Sequence, residues 1–211
     1  MIYRIEKIIK DIRIAMDENR RSDGLISEGD VDTLSLDEIV RSKVEEAARM
    51  VVAEAPVNLL GGGLALDKDV FWYDNGTGWL LLPDDFLRLV VFKMSDWERP
   101  VFEVITEDDG RYRLQFSRYR GIRGTTQKPV VAVVSRPESL VLEFFSCKDN
   151  RATVERGSYV RIPRIDRDGG IDIPERCYRS VIYLGASLTL ASMGQGELSQ
   201  LMANKCREVM I

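Results

Sequence analysis

Apolar residues recur at Ile2, Ile5, Ile8, Ile9, Ile12 and Met16, three or four positions apart, with Lys7, Lys10, Asp11 and Glu18 on other faces. That spacing predicts a first amphipathic helix. Asn19 to Gly24 is a polar loop, and a second loop-like run continues from Asp30 to Thr33. Ser35 with Glu38 then forms a capping box, in which each end satisfies an exposed amide of the first turn. Leu36, Ile39, Val40, Val44, Ala47, Ala48, Val51 and Val52 follow at helical spacing up to Pro56, a second helix.

The pattern changes after Pro56. Gly61-Gly62-Gly63 breaks both periodicities, and Val70 to Tyr73 leads through Asn75-Gly76 into Trp79 to Leu82, which predicts a hairpin. Pro83-Asp84-Asp85 has the proline and carboxylates of a short helix start. Leu87 to Ile105 is rich in Val, Phe and Trp. Arg111 to Phe116 alternates like a half-exposed strand, and Pro129 to Val134 and Leu140 to Phe145 are two more strands around a loop, Ser135 to Ser139.

An irregular stretch ends at Ile171 to Pro174. Cys177, Val181, Leu184, Leu188 and Ala191 then give a helical stripe that stops at Gly194-Gln195-Gly196, and its second face, Gly185, Ala186 and Ser192, is small enough for another backbone to approach closely. A last helix from Glu197 carries Leu198, Leu201, Met202, Cys206 and Met210. Two helices, a β-rich middle and two helices predict an α+β fold. A helical layer is built from residues 1–60 and 171–211, with an antiparallel β-rich subdomain, 61–170, inserted.

Composition removes several kinds of chemistry. The chain has no histidine, which excludes a Ser-His-Asp triad, a Cys-His pair, a His-ligated metal and a histidine pH switch. Cys147, Cys177 and Cys206 are odd in number and widely spaced, so neither a disulfide framework nor a zinc knuckle is expected. Arg4, Glu6 and Lys7 interrupt the start of the chain as a signal peptide would not allow. The longest apolar run, Val181 to Met193, is too short for a bilayer. The expected setting is reducing and aqueous, with no membrane contact.

The candidate ligand motifs are weak. Gly61-Gly62-Gly63 lacks the Lys-Ser/Thr of a phosphate loop and the G-x-G-x-x-G of a dinucleotide fold, so it reads as a link. Asp166 to Asp172 gathers three carboxylates around two glycines but lacks the terminal glutamate of a calcium loop, and reads as a turn. Asp84-Asp85 and Asp108-Asp109 are sequence neighbours, which points them apart in helix or strand. No catalytic constellation, metal site or cofactor site is expected.

Charge is unevenly distributed. Net charge is −4, but residues 1–55 carry 9 basic and 13 acidic side chains, 56–110 carry 4 and 11, 111–164 carry 12 and 4, and 165–211 carry 5 and 6. Within the basic part, 111–128 has no acidic residue: Arg111, Arg113, Arg118, Arg120, Arg123 and Lys128 alternate with Tyr112, Phe116 and Tyr119. Such a stretch suits a solvated hairpin or a protein–protein contact between subunits, where Arg and Tyr are enriched. It also suits a nucleic-acid backbone with stacked bases. The overall acidity argues against a protein whose whole surface coats nucleic acid.

The helix Leu36 to Ala55 running into Pro56, the inserted β-rich part, and the closing runs Ile173-Pro174-Glu175-Arg176, Leu184-Gly185-Ala186-Ser187-Leu188 and Gly196 to Leu201 resemble the head–tail connector, or adaptor, proteins of tailed bacteriophages. Leu82 to Val90, Trp97 to Val101 and Gly121 to Pro129 are similar to neck-ring proteins of short-tailed phages infecting Bacteroidales, the crAss-like group. The resemblance implies packed helices with a β insertion, no catalysis, and a ring, commonly dodecameric, between portal and tail. It implies a portal protein and downstream tail proteins as partners, and synthesis in the host bacterial cytoplasm before incorporation into the virion neck. A ring there surrounds the DNA exit channel, so the basic segment would face either a neighbouring copy or, non-specifically, packaged DNA. The chain is longer than small connectors and its β insertion larger, so positions on the portal and lower in the neck both fit. The alternative from another class is a nucleic-acid-binding accessory protein using 111–128.

Overall fold

The computed structural model describes residues 1–16, 35–73, 75–119 and 121–210. Along the chain these form β1 (Ile2–Arg4), α1 (Ile5–Ala15), α2 (Leu36–Glu54), β2 (Leu64–Ala65), β3 (Phe71–Trp72), β4 (Gly78–Leu81), β5 (Phe86–Met94) and β6 (Ile105–Thr106). There follow α3 (Gly110–Leu114), β7 (Val131–Arg136), β8 (Ser139–Phe144), β9 (Val154–Arg161), β10 (Gly170–Asp172), α4 (Tyr178–Ser192) and α5 (Gly196–Val209). The class is α+β. Met1–Gly61 with Ile162–Ile211 make one compact unit and Gly62–Arg161 another.

In the first unit α4 packs against α1, α2 and α5. Ile5, Ile8 and Ile12 of α1 and Val40, Val44, Ala47 and Val51 of α2 are fully buried, as their three-four spacing requires. At Gly185, α4 approaches α1 closely, since a Cβ on it would lie 2.6 Å from Ile12 Cδ1, the tip of that side chain. Two buried hydroxyls of α4 are satisfied locally: Thr189 Oγ1 donates to the Gly185 carbonyl at 2.8 Å, and Ser187 Oγ donates to the Ser199 carbonyl of α5 at 2.9 Å, whereas the buried Ser180 Oγ has no partner among the described residues. The Ser35–Glu38 capping box closes the start of α2.

The other unit holds two sheets. One has the order β2-β9-β5, and the second is mixed, in the order β3-β4-β8-β7-β6, with β6 parallel to β7. Leu80, Leu142, Phe144, Phe92 and Trp97 belong to one buried cluster. Ile105, Ala132, Val134, Val141 and Phe145 form a second, smaller one. The β3–β4 hairpin turns at Asn75 and Gly76, both with left-handed φ. A Cβ on Gly76 would lie 2.2 Å from the Cys147 carbonyl oxygen.

Several elements differ from the pattern-based expectation. The first helix begins at Ile5, because Ile2–Arg4 pairs antiparallel with Asp172–Gly170, a partner no local pattern reveals. Pro83-Asp84-Asp85 is a turn, with Phe86 N bonded to the Pro83 carbonyl at 2.9 Å, and the β-forming run behind it becomes β5. Arg111 to Phe116 opens as a helix: Asp109 caps it by accepting from Arg111 N at 2.8 Å, which outweighs a six-residue alternation. The loop at Ser135 to Ser139 shrinks to Pro137-Glu138, with both strands continuing to the turn. The stretch read as irregular contains β9.

On α4 the buried face is Val181, Ile182, Gly185, Ala186, Thr189 and Leu190, while Leu184 and Leu188 are half-buried and Ala191 exposed. Ser192, expected on a packing face, is exposed at the helix end and donates back to the Leu188 carbonyl at 3.0 Å. The Asp166 loop is a turn in which Oδ1 accepts from Asp168 N at 2.9 Å and Gly170 N at 2.6 Å. Among the described residues no helix is long and apolar enough to cross a membrane, and no group of three or more Cys, Asp and Glu side chains could hold a metal ion.

Candidate interaction surface

The basic segment is held on the mixed sheet by its non-basic side chains. One face of that sheet carries the row Phe71, Trp79, Glu143, Ala132 and Ile105, each opposite the next across neighbouring strands. Phe71 stacks on Trp79 at 4.3 Å, and the Arg136 guanidinium lies over the same indole at 4.3 Å. Glu143 is only 6% exposed, so its charge needs partners. Arg136 Nη2 donates to Glu143 Oε1 at 2.9 Å, and Tyr112 of α3 donates its phenol proton to Oε2 at 3.0 Å. Arg136 also donates to the Tyr73 hydroxyl. Burial and the Glu143 contact push the Tyr112 phenol well above the usual tyrosine range. Tyr112 and Phe116 both meet the Phe145 ring edge-on, at 6.0 and 5.5 Å.

Gln115 closes the loop that follows. Buried at the end of α3, it donates through Nε2 to the Arg111 carbonyl at 2.9 Å and accepts from Gly124 N at 2.8 Å. Gly124 lies so close to the segment just after β8 that a Cβ there would fall 2.4 Å from Ser146 Oγ, the atom that accepts from Val130 N. Gln115 and Gly124 thus tie together the two ends of the segment they flank, the clamped loop, of which residues 116–119 and 121–123 are described.

The expected site residues have different fates. Arg111 is committed to its own cap: Nη2 reaches Asp109 Oδ2 at 2.6 Å, which lowers the Asp109 carboxyl below its ordinary range. Arg118 lies over the neighbouring Tyr119 ring at 5.1 Å and donates to its hydroxyl at 3.0 Å. Arg113 and Lys128 are exposed, Arg123 is half-buried, and none of the three has an ion-pair partner among the described residues. Arg120 lies outside the described residues. Gly185 and Ala186 are buried in the other unit and take no part here.

The surface also holds residues that the charge count passes over. Leu114, Phe116, Tyr119 and Ile122 are 46–66% exposed. Phe102, Arg99 and Lys128 border an open cleft of about 400 Å³ beside α3, and Arg123, Lys148 and Cys147 border a second of about 370 Å³. Burial and the Asp96 carboxylate push the Cys147 thiol well above the usual cysteine range, which favours its protonated form. Cys177 and Cys206 are pushed the same way by burial. Aliphatic exposure inside a polar stretch was the readable signal for this surface, whereas the Tyr112–Glu143 anchor depends on a strand pairing. No family model matches the chain, and none of the curated proteins compared with it matches.

Proposed function

We propose that the protein is a virion structural component, a head–tail connector that assembles as a ring between the portal and the tail of a bacteriophage. The observation that carries this reading is the clamped loop. With the end of α3 it exposes Leu114, Phe116, Tyr119 and Ile122 beside Arg113 and Arg118, on a base tied down by Gln115, Tyr112 and Glu143. A surface of aromatic, aliphatic and arginine side chains is of the kind a partner protein buries well, and a base already hydrogen-bonded lowers the cost of ordering it. The resemblance of the order of elements to connector proteins is the support for the partners in this reading: the portal, downstream tail proteins and further copies of the chain. The purified chain mixed with its cognate portal should give rings in electron micrographs and a multi-copy complex in native mass spectra. A chain that stays monomeric and ignores the portal overturns the reading.

A second reading, a nucleic-acid-binding accessory protein, is favoured by the Arg118–Tyr119 stack beside Arg113, Arg123 and Lys128, which have no ion-pair partner among the described residues. It requires log affinity for DNA to fall against log salt by about 0.9 per phosphate contact. Reversing Arg118 and Arg120 to Glu should then abolish DNA binding, whereas in the connector reading it disturbs assembly only.

A further inference from the structure

We propose that the clamped loop of one copy docks on the outer face of α5 of the next copy; this rests on the connector reading and names its subunit contact. The second patch lies in the other unit of the chain. Leu198 and Leu201 of α5 are 46% and 48% exposed, while Met202 and Cys206 take the buried side of the same helix. Glu197 and Glu208 stand four residues before and seven after Leu201, on its stripe of the helix, and both are exposed without an ion-pair partner among the described residues. Lys205, on the same face, has its ammonium drawn toward the Tyr183 ring of α4, 6.0 Å from the centroid.

The two patches are complementary and neither is self-complementary. The loop offers apolar side chains flanked by Arg113 and Arg118, and α5 offers apolar side chains flanked by carboxylates. Loop against loop sets like charges opposite one another, which costs several kcal/mol per close juxtaposition, and this face of α5 against itself offers no arginine to the carboxylates, only Lys205, which lies toward Tyr183. Loop against α5 pairs guanidinium with carboxylate around an apolar centre. Two different patches on one chain make a head-to-tail contact, which closes into a ring or runs on as a filament according to the rotation it imposes.

A complementation experiment tests this with the full chain in sedimentation velocity up to millimolar concentration. Wild type should self-associate, and Phe116→Asp and Leu201→Asp should each weaken that association at least 10-fold. Mixed one to one, the two variants should form a dimer and stop there, because one retains an intact α5 face and the other an intact loop. The mixed dimer is its own control for folding. Arg118→Glu should weaken association, and Glu208→Arg in the same chain should restore it. Wild type that stays monomeric at the highest concentration, Leu201→Asp that associates like wild type, or a mixture no larger than its components overturns the contact. If wild type and Leu201→Asp join a portal-borne ring equally well, the contact falls and the connector reading stands. If the mixed dimer forms while wild type ignores the portal, the connector reading falls and the contact stands.

Discussion

Glu143 sets the character of the mixed sheet. A carboxylate at the centre of five strands is tolerated because Arg136 and Tyr112 occupy both of its oxygens. Arg136→Met leaves that charge buried and unpaired, and should lower stability in urea by about 3 kcal/mol. The double variant with Glu143→Leu should recover part of the loss, because the ion is removed along with its partner. Tyr112 and Tyr178 act in the alkaline range. Each donates to a carboxylate, Glu143 or Asp11, and burial raises both phenol pKa values. A raised phenol pKa means the folded state holds the proton more tightly than the unfolded chain. The contribution is therefore complete below the unfolded value of about 10 and is lost as pH climbs above it. Urea midpoints should fall above pH ~10, and Tyr178→Phe should flatten that fall. Nothing in the sequence marks Tyr112 as the anchor of its segment, because Glu143 becomes its neighbour only once β8 takes its place in the sheet.

Elements with a strong local signal were legible, and those depending on a distant partner were not. The capping box and the unbroken apolar stripe made α2 plain, and Ser35→Ala should cost about 1 kcal/mol in thermal or urea unfolding. The Asn75-Gly76 hairpin was equally readable, because two left-handed residues in succession suit that dipeptide. Gly76→Ala should unfold the protein more readily than any other glycine substitution in the β unit, since its Cβ meets a backbone carbonyl that no rotamer can move. By contrast β1 and β9 take their strand character from partners far along the chain, and α3 was hidden behind a chance alternation. On α4, Gly185→Leu should overpack the contact with Ile12 and cost about 1–3 kcal/mol. Gly185→Ala should lie near neutral, its helix gain offset by a small shift of the Ile12 tip.

At the scale of the whole molecule, both strands of chain that pass between the units do so near one place in the β unit: Leu64 and Ala65, just after the first crossing, pair with Tyr159 and Ser158, just before the second. All three tryptophans, Trp72, Trp79 and Trp97, belong to the β unit, whereas α1, α2, α4 and α5 belong to the helical one. Tryptophan fluorescence therefore follows one unit and far-ultraviolet ellipticity mostly the other. Leu80→Ala, in the β core, should shift the fluorescence transition by about 2–5 kcal/mol and leave the ellipticity transition nearly in place if the units unfold separately. The charge imbalance along the sequence did not mark a surface by itself, because Arg111 and Arg136 are spent internally and the exposed leucines were as informative as the arginines. The interrupted helical unit also imposes an order on biosynthesis. When α1 and α2 leave the ribosome, the helix that covers their apolar faces has not been made, and the 100 residues of the β unit come first. At roughly 5–20 residues per second that is a wait of about 5–20 s. During that interval Ile5, Ile8, Val44 and Val51, which α4 later helps to bury, lack that cover, and a chaperone that binds apolar helix faces would engage them then.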